Sequence, residues 1–236
     1  MINLSIEKTD IWTYLKSVDK PIVMYGMGNG ADKILAVCEK YGIEVCDFFA
    51  SDGFVRGHAF HGKTVLSYSE IKEKYKDFIV LVSFATALPD VLDKIYKIAD
   101  EAELYVPDVP VFGETLFSRK FVDENMDKIQ ACASLFSDEE SVRVYESIIN
   151  AKLTGKISHL RASETDRDTV YREVLHPREY RTYADLGAYN GDTVRELLAY
   201  ASTLELAVAM EPDARNFRKL SEYAQGEKRL QLELHN

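Results

Sequence analysis

Thr182-Tyr-Ala-Asp185-Leu-Gly187-Ala-Tyr-Asn-Gly191-Asp-Thr193 reads as a strand, a glycine turn and the start of a helix. The strand covers 182–185. Beyond the turn, Val194, Leu197, Leu198 and Ala201 recur at helical spacing. A second strand, 204–210, ends at Glu211-Pro212-Asp213. A helix carrying Phe217, Leu220 and Tyr223 follows, then an alternating third strand over 229–234. Strand and helix alternating in this way imply a parallel sheet.

Two acids frame the turn. Asp185 ends the first strand, and Glu211 ends the second, 26 residues later. A glycine turn admits a ligand close to the backbone, and a carboxylate at the end of the second strand can accept hydrogen bonds from both hydroxyls of a ribose. A dinucleotide site could also use Glu211. An acid two residues before the first glycine suits a ligand without phosphate that carries cationic groups, and S-adenosylmethionine has both an amino group and a sulfonium.

The two segments 185–193 and 211–217 resemble the first two motifs of the FkbM family of S-adenosylmethionine-dependent methyltransferases. The stretch 135–160, with Leu153-Thr-Gly155, is similar to the segment that precedes the catalytic domain in bacterial members. The resemblance implies a class I, Rossmann-like methyltransferase domain that acts on a hydroxyl of a sugar or similar small-molecule acceptor. By carry-over, Asp185, Gly187, Gly191 and Asp192 shape the cofactor pocket and Glu211 binds ribose. Ala188, Tyr189, Asn190, Thr193 and Pro212 complete the expected cofactor-binding set. A class I sheet has about seven strands, and only 55 residues run from Thr182 to Asn236. The chain is therefore expected to be the N-terminal portion of a longer enzyme, with its catalytic base unassigned.

The first half reads as an independent α/β unit. A short helix presents Ile11, Trp12, Leu15 and Val18 on one face. Strands are expected at 21–25, 44–49, 64–66, 78–83 and 103–106, and helices at 31–41, after Ser67 and from Pro89 to about 99. Ser67-Tyr-Ser-Glu70 has capping-box spacing, as does Ser137-Asp-Glu-Glu140. The alternation predicts a parallel sheet with helices on both faces. Gly26-Met-Gly28-Asn29-Gly30 lies where a Rossmann fold binds nucleotide, with Asp52 in the position of a ribose-binding acid. These residues are a second candidate site, for a nucleotide or nucleotide-sugar. A tight turn that binds nothing remains the alternative reading. If the C-terminal piece is only structural, the protein is instead a non-catalytic module that binds a nucleotide or nucleotide-sugar. A nicotinamide-dependent oxidoreductase has less to offer, since no Tyr-x-x-x-Lys pair accompanies the loop.

The middle is helical, with segments expected at 121–136, 137–153 and 165–175. The domain plan is thus a Rossmann-like domain over 1–113, a helical bridge over 114–180 and a partial methyltransferase domain over 181–236. His58 and His61 lie three apart beside Gly57 and Gly62, which reads as a surface loop, and no metal site is expected.

Composition agrees. The net charge is −10, spread over both halves, and argues against a nucleic-acid binder. Cys38, Cys46 and Cys132 have no paired spacing, which fits a reducing compartment. No apolar run nears the roughly 18–20 residues of a membrane span, and residues 1–10 lack a signal-peptide pattern. The expectation is a cytoplasmic protein without membrane or nucleic-acid partners; a homo-oligomer is admitted.

Overall fold

A computed structural model describes residues 3–51 and 57–233. The chain divides into two compact units, Met1–Glu164 and Thr165–Asn236. The helical stretch 114–180 is shared between them rather than standing apart as a bridge.

The first unit is built on a five-stranded, all-parallel sheet. Helix α1 (Ile11–Ser17) precedes β1 (Ile22–Tyr25), α2 (Asn29–Tyr41) and β2 (Asp47–Ala50). A hairpin of β3 (Ala59–Phe60) and β4 (Lys63–Thr64) comes next. Then follow β5 (Leu66–Ser67), α3 (Tyr68–Lys74), β6 (Ile79–Val82), α4 (Pro89–Glu101) and β7 (Glu103–Tyr105). The sheet order is β5-β2-β1-β6-β7. Strands β1, β2 and β6 are buried along their whole length. Strands β1 and β6 are continuous apolar runs, as a doubly covered sheet requires, and β2 departs only at Asp47, which pairs with Lys74 at 2.7 Å.

One face packs on α1 and α2 through Ile11, Trp12, Leu15, Ile34 and Cys38. The other packs on α3 and α4 through Ile71, Ile95 and Ile98. Asp10 caps α1 by accepting the Thr13 N–H at 2.7 Å, and Gly42 closes α2 in the left-handed conformation at φ 69°. Pro89 opens α4. The Ser67–Glu70 capping box forms as expected. Ser67→Ala should cost about 1 kcal/mol, read as a lowered denaturation midpoint.

Several local expectations differ from the structure. The strand expected over 64–66 is divided, because Lys63–Thr64 pairs with the hairpin while Leu66–Ser67 joins the main sheet. The helix expected over 121–136 is broken at Asn125 into α5 (Arg119–Glu124) and α6 (Met126–Ala133). The Asn125 side chain donates to the Phe121 carbonyl at 2.9 Å, competing with the helical ladder. Asp138, not Ser137, caps α7 (Glu139–Thr154), accepting the Ser141 N–H at 2.7 Å.

Helix α7 is anchored on the first unit. Its buried Asn150 accepts the Glu7 N–H at 2.8 Å and donates to the Ser5 carbonyl at 2.9 Å. Gly155 ends α7, and its carbonyl accepts the Val106 N–H at 2.7 Å. The short α8 (Ile157–Ala162) follows.

The second unit opens with α9 (Arg167–Thr169) and a π-helical turn over Val170–Leu175, where a longer regular helix was expected. His176 stops it at φ 48°, ahead of Pro177. Then come β8 (Thr182–Leu186), α10 (Asp192–Tyr200), β9 (Leu206–Met210), α11 (Ala214–Ala224) and β10 (Leu230–Glu233). The parallel order β10-β9-β8 places both crossovers in one sense. Val194, Leu197 and Leu220 pack on Ala207 and Ala209 to make this unit's core. Leu186, at 75% exposure, and Leu206 at 37% stand on the opposite face.

Candidate functional site

At the C-terminal ends of β8 and β9, the chain turns sharply twice. The N–H groups of Gly187 and Ala188 both donate to the Met210 carbonyl, at 2.8 and 2.9 Å, and this ties the glycine turn to the end of β9. Gly187 adopts φ +96°, and a side chain there would point into open space. Only glycine holds that backbone without strain, and the space beside it stays free for a ligand. Gly191 serves packing. A Cβ there would lie 2.8 Å from Tyr223 and 3.0 Å from Leu220, so its bareness lets α11 close on the turn.

Glu211 joins the two motifs. It is 6% exposed. One carboxylate oxygen accepts the Tyr189 N–H at 2.7 Å, and the other accepts the Asp213 N–H at 2.8 Å. Tyr189 is held at φ 47°, uncommon for a residue with a bulky side chain. The Glu211 bond fixes that conformation. A carboxylate has about four acceptor positions, so both oxygens keep capacity for further donors. Asp213 caps α11 by accepting the N–H groups of Arg215 and Asn216 at 2.9 and 3.0 Å.

Two acceptors at the turn lack partners among the described residues: Asp185 Oδ2 and Asn190 Oδ1 are buried without a hydrogen bond. Burial, and secondarily the nearby Asp192 carboxylate, pushes the Asp185 carboxyl above its usual range. Asp192 stands in the first turn of α10, where an anionic side chain already complements the helix N-terminus. A phosphate would meet two carboxylates here, while a cation or a neutral donor would be welcomed. Two acceptors that await donors, room beside Gly187 and a carboxylate with acceptor capacity left at the end of β9 match the amino group and ribose hydroxyls of S-adenosylmethionine. The residues present fit it.

The structure brings Asp185, the 187–191 turn and Glu211 together. Ala188 is buried under the turn. Thr193 and Pro212 lie at the exposed rim. Sequence reasoning missed Lys219, whose amine stands 5.9 Å from the Tyr189 ring centroid, and Tyr223, which packs on Gly191. Their spacing on α11 marks only a helix face. The contact needs the fold of the turn.

The first glycine loop behaves differently. A Cβ on Gly26 would fall 2.6 Å from Phe84 and from the Ser83 hydroxyl, and one on Gly30 would fall 2.0 Å from the Ser83 carbonyl oxygen. Two of its three glycines are therefore required by packing against the end of β6. Gly28, at φ +97° with open space beside it, and Asn29 sit at the N-terminus of α2. Asp52 lies outside the described residues. His61, at the hairpin tip, pairs with Asp32 at 2.7 Å.

No family model and no curated protein matches the sequence. Among solved structures, the fold is similar to that of the methyltransferase FkbM from Methylobacillus flagellatus KT, at a TM-score of 0.58 and 17% identity. The similarity covers 91% of this chain and 63% of that one, so this chain spans less than two thirds of its length. The likeness shows the fold, a Rossmann-like α/β architecture. Among the described residues, no helix is long and apolar enough to cross a membrane.

Proposed function

We propose that the chain carries the cofactor-binding part of an S-adenosylmethionine-dependent O-methyltransferase that acts on a small-molecule hydroxyl, of a sugar or a related compound. The observation that carries this reading is the buried Glu211 carboxylate, which locks the glycine turn while Asp185 and Asn190 each leave an acceptor unpaired among the described residues. The similar fold of a protein named as a methyltransferase supports it. When bound, the cofactor supplies an electrophilic methyl group for in-line transfer to the acceptor oxygen. The chain's own contribution is positioning: Glu211 for ribose, Asp185 and Asn190 for donors, and the 187–191 backbone for close approach. No residue is assigned as base. Unpaired cysteines fit a cytoplasmic setting.

Calorimetric titration with S-adenosylmethionine tests the reading, and absence of binding would sink it. Asp185→Asn should weaken binding about tenfold, as expected for loss of a charge-assisted bond, without lowering the thermal midpoint of the ligand-free protein. The pH dependence follows from the raised Asp185 carboxyl. The folded state holds this proton more tightly than the unfolded chain, so unfolding free energy falls as pH rises through the acid range above the usual carboxylate value. Ligand affinity should move the opposite way, rising with pH until Asp185 is ionised and flat beyond. Asn at 185 should abolish both slopes.

A nucleotide or nucleotide-sugar held by Gly26–Gly30 has less support, because Gly26 and Gly30 are accounted for by packing.

A further inference from the structure

The first unit holds a groove that neither glycine motif uses. It lies between α3 and α4 and has a volume of about 290 Å³. Its floor is aromatic: Tyr25 and Phe49 stack with ring centroids 4.7 Å apart, and Tyr68 lies 5.5 Å from Phe49. Its rim is cationic. Lys72, Lys94 and Lys97 line it against one acid, Glu101, in a chain whose net charge is −10. Lys72 is committed to Glu101 at 3.0 Å. Lys94 and Lys97 are exposed on α4 and form no ion pair among the described residues.

The Tyr68 hydroxyl is buried and makes no well-formed hydrogen bond among the described residues; the Glu101 carboxylate approaches it without completing one. Burial, with the Glu101 charge nearby, pushes that phenol up to about 12, so it stays a donor at neutral pH. Its neighbour Tyr25 is satisfied, its hydroxyl lying 2.5 Å from that of Ser51. A buried donor left unpaired costs free energy that a fold normally avoids. Apolar walls with a few convergent polar groups are the usual character of a small-molecule site.

We propose that this groove binds an organic phosphate of mononucleotide size. The base or other planar body lies against the aromatic floor, the phosphate meets Lys94 and Lys97, and Tyr68 donates to the ligand. The volume is close to the lower limit of small-molecule sites, roughly 300–1,000 Å³, and suits a mononucleotide better than a dinucleotide. The proposal is independent of methyl transfer and shares no residue with the Asp185–Glu211 site.

Calorimetric titration of the whole chain with uridine 5′-monophosphate and adenosine 5′-monophosphate tests it, with uridine and inorganic phosphate as the separated halves. A mononucleotide should bind saturably, at least tenfold tighter than either half, and more weakly as salt rises. Lys94→Ala combined with Lys97→Ala should weaken it at least tenfold while circular dichroism and the thermal midpoint stay as in the parent. Tyr68→Phe should weaken it several-fold without lowering the midpoint of the ligand-free protein, because the hydroxyl has no well-formed hydrogen bond to lose. Three results would overturn the proposal: no binding of either nucleotide, inorganic phosphate binding as tightly as a nucleotide, or the double lysine variant binding like the parent.

Discussion

Glu211→Ala is expected to destabilise the 165–236 unit by about 3 kcal/mol and to lower affinity for S-adenosylmethionine about a hundredfold. The carboxylate accepts two backbone N–H groups, at 2.7 and 2.8 Å, from residues 22 positions before it and two after it. Charge-assisted bonds of this kind contribute about 1.5–3 kcal/mol each, and their loss leaves two donors to be rehydrated in a confined place. The Tyr189 backbone, at φ 47°, then loses the bond that holds it. Glu211→Gln should recover little. A glutamine amide has one acceptor oxygen, so its NH₂ group must face one of the two N–H donors. Urea unfolding and calorimetric titration of both variants check this. A glutamine variant with parental stability and affinity would show that the paired backbone bonds do not matter.

Gly30→Ala is expected to be the most damaging small substitution in the first unit, costing about 3 kcal/mol or more. Its Cβ would stand 2.0 Å from the Ser83 carbonyl oxygen, a backbone atom that cannot rotate away. Ser83 is itself fixed, since its N–H donates to the Tyr25 carbonyl at 3.0 Å. Relief requires α2 to lift from the sheet, and that uncovers Ala31 and Ile34, which are 0% and 2% exposed. Gly28→Ala makes the contrast. Nothing lies within 4 Å of its Cβ position, and its cost comes from the backbone at φ +97° and ψ −159° alone, about 1–3 kcal/mol. Thermal melting of the two variants should rank Gly30→Ala well below Gly28→Ala. The reverse order would mean that conformation, not space, dictates this loop.

These two glycines show where sequence reading reaches its limit. Both belong to a spacing that suggests a phosphate cradle, yet only contact with Ser83 reveals that Gly30 is a packing residue. By contrast, the strand, glycine turn and helix start of 185–193 were legible, because each is set by near neighbours in sequence. The position of Glu211 was legible too. Its bond to the Tyr189 N–H was not, since that depends on parallel pairing of β8 with β9 in the register Asp185 to Ala209 and Leu186 to Met210. The break at Asn125 was hidden for a similar reason, as an asparagine can sit in a helix or end one according to what its amide finds.

The sequence by itself determined the alternation of strands and helices, the buried runs of β1 and β6, and the acids that frame the second turn. These follow from periodicity, chain stereochemistry and near-neighbour hydrogen bonding, which act over a few residues. Tertiary structure alone decided which glycines are bare for space and which for conformation. It also decided that α7 belongs to the first unit, through Asn150 and Gly155, and that an aromatic, lysine-rimmed groove opens between α3 and α4. Each of these depends on residues tens of positions apart meeting at van der Waals or hydrogen-bond distance. No local pattern encodes such a meeting, because it is set by how whole elements pack.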